Sequence, residues 1–279
     1  MAELVAEIAV LRELLTGQRR AGKTVGLVPT MGALHAGHRR LFEIARAETD
    51  VVVASIFVNP TQFNRPDDLQ QYPRTLAQDL AVCRATGVDV VFAPSAAEMY
   101  PKAQLAWVDV SALTKHLCGP GRPGHFQGVA TVVMKLFQIV QPNRSYFGEK
   151  DAQQLAIIQR MVKDLNVPVT VVPVATVREP DGLALSSRNQ HLSPSEREHA
   201  VALSQALFAA RDLVERGERS PEVIASSVAP LFKDVRLEYF SIVALDTLSP
   251  VDRVEGPVLI AAAIWLGSTR LIDNVQVTP

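Results

Sequence analysis

The sequence predicts an α/β protein: a parallel sheet with helices on both faces, followed by a smaller C-terminal α+β domain. Two patterns carry this. As far as Val174, short apolar β-rich runs alternate with helix-patterned segments, the order expected of strand–helix units around a parallel sheet. Past a polar stretch at Pro180–Pro194, two helices come first and three strands follow. The predicted domains are residues 1–177 and 178–279. With 279 residues, 48% hydrophobic and 20% charged, the chain can bury a real core and is not disordered.

In chain order, Val5, Ile8, Leu11 and Leu15 mark one face of a first amphipathic helix. Glu3, Glu7, Arg12 and Glu13 interrupt that stretch, which argues against a signal peptide. Strands are expected at Thr24–Pro29, Val51–Val58, Asp89–Ala93 and Val167–Val174, with helices at Arg39–Thr49, Thr75–Thr86, Val129–Gln141 and Asp151–Leu165. Ser193-Pro194-Ser195-Glu196 combines an N-cap, a first-turn proline and a capping-box glutamate. A long helix to about Arg216 and another at Pro221–Phe232 follow. Strands at Arg236–Val243, Val258–Trp265 and Thr269–Val275 end the chain. The longest apolar run, Pro257–Leu266, is far too short to span a bilayer.

The net charge of −1 excludes a bulk electrostatic nucleic-acid binder. Cys83 and Cys118 could form one disulfide, but they sit in no metal-like cluster, and a reduced cytoplasmic enzyme is the simpler reading.

The chemistry should collect at the carboxyl ends of the strands. After the first predicted strand comes His35-Ala36-Gly37-His38, leading into a helix. Two imidazoles at a helix N-terminus, with a glycine between, suit a nucleotide phosphate. Asn59-Pro60-Thr61-Gln62 follows the next strand, where carboxamides suit a substrate bearing hydroxyl and carboxylate groups, although a turn capped by Asn59 explains the first of them. Gly119–Gly128 holds four glycines and two prolines, either a flap whose Arg122 or His125 touches phosphate or a tight crossover. Asp151 and Gln154 fit a capping box. Lys150, a cation at a helix N-terminus, opposes the helix dipole and calls for an anion. Ser186-Ser187-Arg188 offers hydroxyls and a guanidinium fork to phosphoryl oxygens. Asp79 and Asp89 are candidate magnesium carboxylates, explained nearly as well by a helix face and a strand start. No Walker A loop, dinucleotide fingerprint or nucleophile elbow is present.

Together, Pro29–His38, Phe57–Phe63, Tyr72–Thr75, Arg122–Phe126, Phe147–Gln154, Thr176–Glu179 and Ser186–Asn189 resemble the pantothenate synthetase (pantoate–β-alanine ligase) family. That family lies in the H-x-G-H nucleotidyltransferase-like superfamily, with first-class aminoacyl-tRNA synthetases as relatives. The resemblance spans nearly the whole chain. It implies a Rossmann-like first domain, a C-terminal lid, a cytoplasmic homodimer, and ATP (with Mg2+), D-pantoate and β-alanine as substrates joined through a pantoyl adenylate. By the same resemblance His35, His38, Lys150 and Arg188 are catalytic. Met31, Gly148, Asp151, Val177, Ser186 and Ser187 join those four around ATP. Met31, Gln62 and Gln154 hold pantoate, and Asp79 positions the metal. Gln127 and His191 stand where the family usually has arginine and tyrosine, and neither is assigned chemistry.

Two rival readings are a nucleotidyltransferase of the same fold acting on a phosphorylated acceptor, and a silent nucleotide binder. The neutral Gln62 and Gln154 disfavour the first, because an acceptor phosphate calls for cations. The retained polar residues disfavour the second. The missing K-M-S-K-S-like loop and tRNA-binding appendage argue against a tRNA synthetase.

Overall fold

The computed structural model describes residues 2–279, which divide into two compact units. The first comprises residues up to Val110, Gly121–Glu149 and Gln154–Ala175; the second comprises Ser111–Pro120, Lys150–Gln153 and Thr176–Pro279.

The first unit runs β1 (Glu3–Val5), α1 (Ile8–Arg20), β2 (Val25–Thr30), α2 (Ala36–Glu48), β3 (Val51–Ile56), α3 (Pro66–Gln71), α4 (Leu76–Ala85), β4 (Val90–Phe92) and α5 (Ala96–Met99). It continues with α6 (His125–Val140), β5 (Arg144–Gly148), α7 (Ala152–Asp164) and β6 (Thr170–Val174). All the strand pairings are parallel, in the order β1-β4-β3-β2-β5-β6. Without the short edge strand β1 this is the doubly wound order, and its direction reverses between β2 and β5. Ligands of such sheets bind at that reversal, beyond the carboxyl ends of the strands.

Val51, Val52, Val53 and Ala54 of β3 are all buried, so both faces of the sheet are covered. Leu41, Phe42 and Ala45 of α2 pack against Val28, Val52, Ala54 and Tyr146 on one face. Each large side chain buried there contributes about 1.5–3 kcal/mol. This packing fixes the helix whose N-terminus carries the two histidines.

The second unit contains α8 (Pro194–Ala200), α9 (Ala202–Glu215), α10 (Pro221–Val228) and the antiparallel meander β7 (Arg236–Ala244), β8 (Val258–Leu266) and β9 (Thr269–Val277). Leu203, Ala206, Leu207, Ala210 and Val214 of α9 recur at helical spacing and share a core with Ile260, Ala262, Ile264, Leu271 and Val275. Buried Gln153 ties residues 111–120 into this unit. Its amide donates to the carbonyls of Leu113 and His116, both at 2.9 Å, and its oxygen accepts from the Cys118 N–H at 3.0 Å.

The α/β class with a smaller α+β portion matches the sequence expectation, and several elements differ from it. Val5 belongs to β1, paired with Phe92, because the chain turns before Ile8. The helix expected to run to Arg216 is interrupted at Val201, and the one expected to reach Phe232 ends in a 3-10 turn from Ala229. Helix α6 starts at His125, four residues before Val129, just after Gly124 in the left-handed region at φ 75°. Strand β5 has no counterpart among the expected strands, yet Ser145 and Tyr146 are fully buried in it, between β2 and β6. Among the described residues, Cys83 and Cys118 are both free and buried, and no helix is long and apolar enough to cross a membrane.

Candidate active site

At the end of β2 the chain turns through Met31–Leu34 into α2. His35 is the N-cap of α2, and its Nδ1 accepts from the Gly37 N–H at 3.1 Å. The His35 N–H in turn donates to Nδ1 of His38 at 3.3 Å, a capping box made from two imidazoles. The ring centroids lie 4.2 Å apart. With both Nδ1 lone pairs held by backbone N–H groups, the proton of each neutral ring sits on Nε2. The motif therefore fixes the tautomers as well as the rotamers. It presents two Nε2–H donors beside a helix N-terminus, where negative charge is favoured.

Asp79 of α4 sets the turn that carries this motif. It is buried, and its Oδ1 accepts from the Leu34 N–H at 2.8 Å. Its Oδ2 accepts from the Ala33 N–H at 3.1 Å and the Thr75 hydroxyl at 3.2 Å. Gly32 (φ 85°) and Ala33 (φ 52°) are both left-handed, and a Cβ on Gly32 would stand 2.9 Å from Asp79 Oδ2. Both carboxylate oxygens are thus engaged by the turn, which gives Asp79 a structural role that needs no metal. Asp89, the other candidate carboxylate, pairs with Arg46 at 2.7 Å and accepts from the Val52 N–H at 2.8 Å, a structural role.

Beyond β3, Gln62 lies in a buried polar cluster. Its Nε2 contacts Sδ of Met31 at 3.0 Å, and its Oε1 accepts from Asn59 Nδ2 at 3.1 Å. Asn59 Nδ2 also reaches the Gly128 carbonyl at 3.2 Å, while Asn59 Oδ1 accepts from the Tyr100 hydroxyl at 2.9 Å. Burial raises the Tyr100 phenol above its ordinary pKa, so it remains a hydroxyl donor. His125 closes the cluster: Nδ1 bonds the Gln62 carbonyl at 2.8 Å and Nε2 meets Arg122 Nη1 at 2.9 Å. Because the Gln62 carbonyl can only accept, Nδ1 carries the proton and Nε2 accepts from the guanidinium. Both residues, considered above for phosphate, here support Gln62. Gly128 allows the helix its close approach, since a Cβ there would lie 2.4 Å from the Thr61 oxygen.

In the second unit, Lys150, Ser186, Arg188, Asn189 and Arg270 line one cleft floored by Leu183, Leu203 and Leu271. A hairpin sets its rim, with the Leu185 N–H donating to the Val177 carbonyl at 2.9 Å. Ser186 then caps a 3-10 turn over Ser187–His191 through the Arg188 N–H at 3.2 Å. Arg270 is matched by Glu238 at 2.8 Å. Among the described residues, no hydrogen bond or ion pair engages the Lys150 ammonium or the Arg188 guanidinium. Two uncompensated cations and a hydroxyl in one cleft have the chemistry to hold an anion.

The structure thus groups His35 with His38, Gln62 with Met31, and Lys150 with Ser186 and Arg188. Gly148 ends β5, Asp151 closes the 3-10 turn that begins at Glu149, and Gln154 lies in the first turn of α7. The sequence reading missed Tyr100, and it weighed Asn59 as a substrate carboxamide or a turn cap without foreseeing its bonds to Gln62 and Gly128. It also missed Asn274, whose amide reaches the Lys150 carbonyl at 2.9 Å. Tyr100 and Asn274 lie too far along the chain to leave any local signal.

A family model described as Pantoate-beta-alanine ligase matches residues 3–276. The chain is similar to the pantothenate synthetase of Moorella thermoacetica, with 50% identity over 276 residues covering 98% of each chain. It also resembles the crystal structure of pantothenate synthetase from Thermus thermophilus, at TM-score 0.92 and 46% identity, covering 99% of this chain and 100% of that one. A third similar structure is the pantoate-beta-alanine ligase of Francisella tularensis complexed with beta-gamma ATP and beta-alanine. It matches at TM-score 0.80 and 35% identity, covering 99% of this chain and 97% of that one.

Proposed function

We propose, from the premise that this chain belongs to the pantoate–beta-alanine ligase family, that its site works through an enzyme-bound pantoyl adenylate. The protein condenses D-pantoate with β-alanine in an ATP-dependent reaction. In the proposed route, the pantoate carboxylate attacks the α-phosphorus of ATP and pyrophosphate leaves. The amine of β-alanine then attacks the acyl carbon, loses a proton and expels AMP. The carboxylate is already ionised at neutral pH, so the first step depends on stabilising phosphoryl charge more than on a general base. The observation that carries this reading is the cleft of unmatched cations, Lys150 and Arg188, with Ser186.

In this reading Lys150 and Arg188 neutralise the triphosphate, and the Ser186 and Ser187 hydroxyls and the Nε2–H groups of His35 and His38 donate to its oxygens. Gly148, Asp151 and Val177 line the nucleoside. Gln62, Gln154 and the Met31 backbone hold pantoate. Among the described residues, no group of three His, Cys, Asp or Glu side chains could hold a metal ion, and Asp79 is committed to its turn. Magnesium accordingly enters as part of the substrate, Mg-ATP. Residues 1–177 are assigned to nucleotide and pantoate binding, and residues 178–279 to keeping water from the adenylate. A cytoplasmic homodimer completes the proposal, its assembly state readable by light scattering.

The test is product identification after incubation with Mg-ATP and D-pantoate, with and without β-alanine. Pantothenate, AMP and pyrophosphate with all three substrates are expected. ADP and phosphate would overturn the route.

A further inference from the structure

We propose that Asn274 is a positioning residue for Lys150, held in place by an Arg178–Asp273 clamp. The inference rests on the reading above that Lys150 meets the triphosphate. Asn274 lies on β9, is buried, and donates from Nδ2 to the Lys150 carbonyl at 2.9 Å. That carbonyl can only accept, which settles which end of the amide faces it.

The backbone of Asn274 is fixed from both sides. Its N–H donates to Asp273 Oδ1 at 2.8 Å, and its carbonyl accepts from Arg178 Nη2 at 3.3 Å. Arg178 grips Asp273 bidentately, at 2.6 and 3.0 Å, and reaches the Gly182 carbonyl at 3.0 Å. Its guanidinium lies 4.9 Å from the Phe208 ring centroid. The side chain of Asp273 is only 1% exposed. A buried ion pair adds little net stability, yet a planar bidentate one is directionally strict. Arg178, Asp273 and Asn274 therefore act as a rigid bracket that ends in the Asn274 amide.

What that amide holds is a short element. Lys150 sits in the three-residue 3-10 turn Glu149–Asp151, and its ammonium has no partner among the described residues. A lysine without a partner is located through its backbone. Its long stem converts a small rotation of the peptide into a displacement of Nζ, and a misplacement of about 1 Å can cost on the order of 10²-fold in rate. The carbonyl bond from β9 acts against that rotation.

The experiment measures single-turnover pyrophosphate release from Mg-ATP and D-pantoate in wild type, N274A, K150A and the double variant, with melting curves for each. N274S runs in parallel, a variant that keeps a buried polar group too short to reach the carbonyl. The expected result is a fall of about 10²-fold in N274A and N274S with little change in the KM for ATP. In the K150A background the Asn274 change should add less than about twofold, because coupled residues are not additive. Wild-type rates in N274A and N274S beside a slow K150A would overturn the inference. So would an equal loss in both backgrounds, which marks a purely structural role. A wild-type rate in K150A would instead refute the premise about Lys150.

Discussion

Replacing Asp79 by Asn changes one oxygen to an NH2 group at nearly constant shape and removes the charge. Asp79 is 2% exposed and takes the Leu34 N–H on Oδ1 and the Ala33 N–H on Oδ2. An amide has one acceptor end, so in either orientation one backbone N–H faces an NH2 group. Hydrogen bonds to a charged group are worth about 1.5–3 kcal/mol, and losing one predicts that much destabilisation. The melting temperature should drop by roughly 3–12 °C, from about 2–4 °C per kcal/mol for a domain of this size. Both bonds flank Ala33, which they hold at φ 52°, a conformation that costs a non-glycine residue about 1–2 kcal/mol. The turn should therefore relax and displace His35 and His38, raising the KM for ATP and slowing adenylation. Because the carboxylate serves the turn, added magnesium should not repair the loss. The assay is single-turnover pyrophosphate release across a magnesium titration, alongside thermal melts. A variant with wild-type melting whose activity returns with excess magnesium would refute the reasoning and place Asp79 on the metal.

Three further outcomes are expected. Gly128→Ala puts a Cβ 2.4 Å from the Thr61 oxygen and 2.8 Å from the Gln62 nitrogen. It should cost about 1–3 kcal/mol by overpacking and raise the KM for pantoate more than that for ATP; an equal change in both would contradict the placement of Gln62. His38→Ala should slow adenylation by on the order of 10²–10³ while preformed pantoyl adenylate still reacts with β-alanine, so equal losses in both half-reactions would remove His38 from phosphoryl transfer. The Arg270 hydrogen bond holds the Glu238 carboxyl below its ordinary pKa. A depressed pKa contributes stability above the unfolded value, about 4.3, and that contribution is lost as pH falls through the folded one. E238Q should accordingly be less stable than wild type near neutrality and flatten the acid limb of stability against pH, and an unchanged acid limb would rule out this linkage.

What was legible in the sequence follows from how local each determinant is. His35 and His38 stand three residues apart at a strand-to-helix junction, and their capping box is a contact within that span. Ser193 and Glu196 form theirs in the same way. The alternation of β2, β3, β4 and β6 with helices shows as apolar runs in the sequence. Strand β5 escaped because Arg144, Ser145 and Gly148 break that pattern in a five-residue strand. Its burial comes from neighbours 118 residues away, where the Ser145 hydroxyl donates to the Leu27 carbonyl. The Asp79 carboxylate reads as a helix-face residue in sequence, and only the fold brings it to a turn 45 residues earlier. The same holds for Asn274, which contacts Lys150 across 124 residues. The recognition groups were legible, and the residues that orient them were not, because orientation is set by tertiary contact.

The central claim is that the pantoate carboxylate attacks the α-phosphorus of ATP. The most direct measurement uses D-pantoate labelled with oxygen-18 in its carboxylate, turned over with Mg-ATP and β-alanine, with both nucleotide and phosphate products examined by mass spectrometry. The adenylate route predicts one labelled oxygen in AMP and none in pyrophosphate, because the carboxylate oxygen that bonds to phosphorus leaves with it. Label in inorganic phosphate, or unlabelled AMP, would contradict it.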